Sequence, residues 1–191
     1  CIHLTEEDID LFAAAGAKVA HCVGSYTKGG KGVCPVHDLR RKGVDVGVGT
    51  DGPSSGNTLD LFTQFKMISC AQKTRYHSRG LFPSDETVEL GTMGGARVLG
   101  AEQEIGSIEP GKKADLVLLE NRSVNMFPAY NPYSVIVYSA GPRNVDSVWV
   151  DGVRLVQGGC LLHTDIRTER ERLAAHMGEF VKRAQRYADI I

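Results

Sequence analysis

The run Val44-Asp45-Val46-Gly47-Val48-Gly49-Thr50-Asp51-Gly52 constrains the fold more than any other segment of the chain. Its alternating valines predict a strand with one apolar face, the face that outer helices cover in a parallel sheet. The other face carries Asp45, Gly47 and Gly49, and then Asp51 by parity. Two glycines just below an aspartate leave space for something to approach the backbone closely. The flanking segments are helical. Pro35 to Gly43 begins with a proline suited to a first turn, and Leu59 to Lys73 is long and amphipathic. One unit earlier, Thr5-Glu6-Glu7-Asp8 resembles a capping box for a helix ending at Gly16, and Lys18 to Cys22 reads as a short buried strand. The order helix, strand, helix, strand, helix predicts parallel α/β structure.

Further along, the character changes. Val23 to Cys34 is a Gly- and Lys-rich stretch expected to be a loop, and two helices are expected between Pro83 and Leu99. Beyond them come a turn-rich Gly106-Ser107-Ile108-Glu109-Pro110-Gly111, a strand at Ala114 to Leu119, and a hairpin at Val148 to Val156. Asp151-Gly152 supplies that hairpin's type I′ turn. From Thr168 to Ile191, Leu173, Met177, Phe180, Val181, Ala184, Tyr187, Ala188 and Ile191 share one helical face. We therefore divide the chain into an α/β part (residues 1–102), a small β module (103–162) and a terminal amphipathic helix (163–191).

Composition narrows the function classes. An apolar content of 42% in 191 residues is enough for a packed core. With a net charge of -1 and mixed signs, the chain has no basic stripe, which argues against nucleic acid as a partner. No apolar run approaches the ~18 residues of a membrane span. The five cysteines are scattered with no paired spacing, the pattern of reduced thiols in a cytoplasmic protein. A first segment that reads as a strand end, Cys1-Ile2-His3-Leu4, looks cut from something longer.

Asp51 is the leading candidate for chemistry. A carboxylate at the C-terminal end of a parallel strand lies where α/β barrels place their catalytic groups. It can give one oxygen to a metal ion and use the other to take a proton from the attacking water and pass it to a leaving amine. Thr-Asp-Gly is also good turn chemistry, so a capping aspartate is the competing reading. His21 ends the preceding strand and is either a group facing substrate or, as is commoner on buried strands, a structural histidine. Gly29-Gly30-Lys31-Gly32 lacks the ending of a phosphate-binding loop, and Ser54 and Ser55 lack a nucleophile elbow.

Three stretches carry a resemblance to a known family. They are His21-Cys22 with Ser25; Gly49-Thr50-Asp51-Gly52-Pro53 through Asn57-Thr58-Leu59-Asp60-Leu61-Phe62; and Gly106 to Leu116. Together they resemble the amidohydrolase superfamily, and within it the deaminases of purine-like rings such as 5′-methylthioadenosine and S-adenosylhomocysteine. The resemblance implies the C-terminal part of a (β/α)8 barrel with a small appended β-sandwich. It also implies zinc, or iron or another divalent metal, and a heteroaromatic substrate losing ammonia. Asp51 carries over as metal ligand and catalytic base, and His21, Ser25 and Ser54 as candidate contacts to substrate. The family's histidine ligands fall on earlier strands, so a missing barrel segment would have to supply them. Val23, Tyr26 and Gly56 depart from the usual Pro, Asn and Asn, which bears on the substrate more than on the reaction. Two rivals remain: an amidohydrolase acting on a triazine, pterin, guanine or cyclic amide, and a non-catalytic fragment that binds a partner. The resemblance also suggests homo-oligomers.

Overall fold

The computed structural model describes residues 1–186. Tyr187, Ala188 and Ile191 of the expected apolar stripe lie outside the described residues. Helix α1 (Glu6–Ala14) starts at the expected capping box: the Asp8 carboxylate accepts from the Thr5 backbone N–H at 2.8 Å, and the Thr5 hydroxyl accepts from the Asp8 N–H at 3.2 Å. Gly16, in the left-handed region at φ 62°, turns the chain into strand β1 (Val19–His21). Strand β2 (Val46–Val48) pairs parallel to it, Val19 opposite Val46 and His21 opposite Val48.

Between the strands the structure departs from the expected loop. Residues Val23–Lys28 form a short helix, α2, before the glycines end it; α3 (Val36–Arg41) follows, with Pro35 as its cap rather than its first turn. Helix α4 (Pro53–Gly56) is one turn long and closes on Asn57 in the left-handed region. Helix α5 (Leu61–Arg75) is capped by the Asp60 carboxylate, which accepts from the Phe62 and Thr63 N–H groups at 2.9 and 3.2 Å. In place of two helices before Leu99 there is one continuous helical segment. Helix α6 (Ser84–Glu89) runs through a π turn (Leu90–Gly94) into α7 (Gly95–Leu99), and Gly100 stops it at φ 69°.

The core lies where the sequence pattern put it. Val19, Val44 and Val46 pack with Ile9 of α1, Val36 and Leu39 of α3, Ile68 of α5, Phe82 and Leu90. The opposite face of β2 is covered by α7. Arg97 forms an ion pair with Asp45 at 2.9 Å, and a Cβ added at Gly47 would lie 3.0 Å from the Gly95 Cα. The glycine below Asp51 is thus a contact between backbones.

The remaining strands, β3 (Leu116–Leu119), β4 (Val145–Val150), β5 (Val153–Gln157) and β6 (Cys160–Leu161), form one antiparallel sheet in that order. Asp151 and Gly152 both have positive φ, 50° and 78°, as the type I′ turn requires. Among the described residues this is a single layer. An unanticipated helix, α8 (Pro132–Tyr138), interrupts the module and returns to the α/β part. It starts on Asn131, whose side chain accepts from the Ser134 N–H at 3.1 Å. It docks on α5 through the Tyr138 hydroxyl, 2.6 Å from the buried Ser69 Oγ and hydrogen-bonded to the Lys73 ammonium. The last helix, α9 (Ile166–Gln185), buries none of its residues. No helix among the described residues is long and apolar enough to cross a membrane.

Candidate active site

The site begins where β2 ends. The Gly49 N–H donates to the His21 carbonyl at 3.0 Å, the last bond tying the two strands. Two residues later the chain leaves the extended conformation, and Asp51 takes φ 60°. Few residues besides glycine, asparagine and aspartate enter this left-handed region. The bend replaces the parity position with a turn, and the turn puts the Asp51 carboxylate against its own following backbone. Its Oδ1 accepts from the Gly52 N–H at 2.6 Å, and its Oδ2 accepts from the Ser25 hydroxyl at 2.8 Å. The Gly52 N–H first, then the Ser25 hydroxyl, hold the carboxyl below the usual aspartate range against the opposing effect of burial, with a lesser pull from the nearby Ser55. Asp51 is therefore an exposed, ionised carboxylate with both oxygens oriented and further lone pairs on each still open.

Helix α2 and the turn after Asp51 are tied to each other independently. The Lys28 ammonium donates to the Ser55 carbonyl at 2.9 Å and to the Asn57 side chain. Beneath α2 lies α5, whose fully buried Gln64 accepts from the Gly24 N–H at 2.9 Å through Oε1. Cys22 lies beside the same turn; a Cβ at Gly49 would come within 2.9 Å of its Sγ. Burial pushes that thiol up, so it stays protonated and neutral.

The structure brings one of the three candidate substrate contacts to Asp51. Ser25 touches the carboxylate directly, so it orients Asp51. Ser54 is exposed, with no hydrogen bond from its side chain to Asp51; the neighbouring Ser55 is the serine that acts on it. His21 shares the buried face of β1 with Val19 and is only 3% exposed. Burial pulls its pKa down to about 4, so the ring is neutral near pH 7, and its Nε2 has no partner among the described residues. No three His, Cys, Asp or Glu side chains among the described residues converge to hold a metal ion. Asp51 supplies at most one ligand, and this chain's described residues do not complete a metal centre. Sequence reading missed Ser55, Lys28 and Gln64. Only Ser55 left a signal, as a hydroxyl four residues beyond an aspartate at a helix start.

A strand-end carboxylate set in parallel α/β architecture agrees with comparisons to known proteins. The model of the Amidohydrolase family matches residues 1–155, and the chain belongs to that family. It is 39% identical over 184 residues to a 5-methylthioadenosine/S-adenosylhomocysteine deaminase of Desulforudis audaxviator, covering 95% of this chain and 43% of that protein. It is 39% identical over 165 residues to a 5'-deoxyadenosine deaminase of Methanobrevibacter smithii, covering 86% of this chain and 38% of the relative. Among solved structures, an adenosine deaminase from Xanthomonas campestris with bound zinc superposes with a TM-score of 0.87 at 33% identity, over 96% of this chain and 41% of that one. An atrazine chlorohydrolase of Arthrobacter aurescens, complexed with zinc, has a TM-score of 0.85 at 23% identity, which speaks for the fold alone. The α/β part is thus part of an amidohydrolase barrel, and the chain spans about two fifths of the length of these relatives.

Proposed function

We propose that the complete protein is a metal-dependent hydrolytic deaminase of adenosine-type rings, methylthioadenosine or S-adenosylhomocysteine among them, and that this chain supplies its strand-end carboxylate. The observation that carries the reading is Asp51 itself, held ionised by Gly52 and Ser25 at the end of a parallel strand. In the reaction, water attacks the ring carbon that bears the amino group, a C–O bond forms, the C–N bond breaks and ammonia leaves. Asp51 takes the proton from the water and delivers it to the departing nitrogen. A divalent cation, zinc on the precedent of the Xanthomonas relative, would lower the pKa of water to about 7, with Asp51 as one ligand and the rest from outside the described residues. The relatives' names favour a purine-like substrate over a triazine.

Two structural readings accompany this one. The antiparallel sheet is one layer of a β-sandwich, because Val117, Leu118, Val150 and Val153 remain exposed on it and call for cover. A reducing compartment, the cytoplasm, suits five cysteines that are all unpaired. The test is ammonia release by the complete protein from methylthioadenosine, S-adenosylhomocysteine, 5′-deoxyadenosine, adenosine and a chlorotriazine. Asp51→Asn keeps the shape and removes the proton-accepting charge; we expect at least a ~10²-fold fall in turnover, the low end for losing a positioned base. Near-normal turnover in that variant would reduce Asp51 to a turn residue and overturn the reading.

A further inference from the structure

The contact chain that ends at Asp51 begins on the buried side of α5. Gln64 lies one turn into that helix, fully buried, and its side-chain Oε1 accepts from the Gly24 N–H at 2.9 Å. Gly24 sits in the first turn of α2, where backbone N–H groups have no partner inside the helix. The cap residue of α2, Cys22, makes no side-chain capping bond. Gln64 therefore takes over, from another element, the work an N-cap side chain ordinarily does. The fit is close on both sides. A Cβ on Gly24 would lie 2.8 Å from Gln64 Nε2, so only glycine lets the amide lie against this backbone. The next residue is Ser25, whose hydroxyl holds Asp51 Oδ2 at 2.8 Å.

We infer that Gln64 is a positioning residue for the deamination: it fixes the first turn of α2, which fixes the Ser25 hydroxyl, which aims the Asp51 carboxylate. The inference rests on the deaminase reading for the role of Asp51. A six-residue helix is marginal by itself, so its first turn depends on outside contacts. At the other end Lys28 ties α2 to Ser55 and Asn57. Gln64 is thus the anchor on the Ser25 side. The amide carries a cost that supports a specific role. Its Nε2 is buried with no partner among the described residues, and an apolar side chain of similar length would leave no such donor unsatisfied. What the apolar side chain would lose is the acceptor for Gly24.

The experiment uses the complete protein and whichever compound of the panel gives the fastest ammonia release. Gln64→Met keeps the length and removes the acceptor. Turnover is expected to fall roughly 10-fold with KM within about twofold, inside the up to ~10²-fold loss that a misplacement of ~1 Å brings. Gln64→Glu, which restores an oxygen facing Gly24, should recover most of the loss. Because Gln64 acts through Ser25, Gln64→Met added to Ser25→Ala should cost little beyond Ser25→Ala alone. If Gln64→Met does not fold, Gly24→Ala tests the same link from the other side and should lower turnover in the same way. A Gln64→Met protein that melts lower but turns over normally would overturn the inference, as would losses that simply multiply in the double variant. Asp51→Asn separates this failure from that of the wider reading: if it turns over normally, the deaminase role of Asp51 fails whatever Gln64 does.

Discussion

Replacing Gly94 by alanine tests whether the π turn holds the strand that carries Asp51. Gly94 ends that turn against β2, and a Cβ there would lie 2.6 Å from the Val46 carbonyl oxygen. Ordinary contact begins at 3.4 Å, so the two must separate by about 0.8 Å. The obstacle is the backbone of the first residue of β2, paired to Val19, and cannot swing aside as a side-chain tip would. Overpacking of this kind costs about 1–3 kcal/mol. Alanine in place of glycine in a helical segment returns roughly 0.5–1 kcal/mol. The balance is a net loss of up to about 2.5 kcal/mol. Gly178→Ala is the matched control: Gly178 lies in α9 with nothing within 4 Å of the added methyl, so only the favourable part remains. Melting temperatures of the two variants of the complete protein, measured side by side, should fall on opposite sides of the parent, Gly94→Ala below and Gly178→Ala at or above it. Because β2 leads directly into Gly49 and Asp51, the Gly94 variant should also lose turnover. A Gly94→Ala protein as stable and as active as Gly178→Ala would refute the close approach.

Three further outcomes follow from the structure. The isolated chain should retain no stoichiometric zinc after dialysis, since no three potential ligands converge among its described residues; one equivalent of tightly held zinc by elemental analysis would contradict this. Glu120 accepts from Arg122 N–H, Ser123 N–H and Asn144 Nδ2, and the Ser123 hydroxyl, then Asn144 and the backbone, bring its pKa down to about 2. Its contribution to stability is therefore complete above the ordinary value of 4.5 and fades as pH falls toward about 2. Glu120→Gln should flatten the acid side of the stability curve in that window, and an unchanged curve would show the carboxylate is unimportant there. Phe180→Glu places a charge in the exposed apolar stripe of α9 with Leu173, Met177 and Val181. In the complete protein it should lower the melting temperature or release a subunit; unchanged melting and unchanged mass in solution would show that the stripe faces water.

The features legible in the sequence were those that a few adjacent residues decide between themselves. The Thr5–Asp8 capping box and the Asp151-Gly152 turn are of this kind, and the structure keeps both; the Asp60 cap, by contrast, falls inside the helix that the sequence predicts from Leu59. The apolar face of β2 was legible by alternation, and its valines do pack on α1, α3 and α5. The same alternation gave the glycine face but not what covers it; Gly95 and Cys22 meet Gly47 and Gly49 from 48 and 27 residues away in the chain. Short helices were the main loss. Helices α2 and α8 have six and seven residues, too short for a periodic apolar pattern, and both are held by long-range contacts: α2 by Gln64, α8 by Ser69 and Lys73. Propensity is a weak guide where tertiary packing decides.

The same division explains why Asp51 stood out while its supports did not. A strand running into Thr-Asp-Gly marks the aspartate by sequence alone, but as either turn residue or reactive carboxylate. The structure shows the turn directly, and the contacts around it support the proposed reactive role. Asp51 does make the turn, with φ 60° and its Oδ1 on the next N–H. If that were all, Oδ2 would need no partner from outside the turn. It has one in Ser25, which comes from α2, a helix anchored by a buried glutamine on the Gly24 N–H and by a lysine on the Ser55 carbonyl and the Asn57 side chain. A turn needs no such scaffold, because its own backbone bond already fixes it. A carboxylate that must meet a reacting water in one orientation does, since the free carboxylate of a turn would rotate about its last torsion.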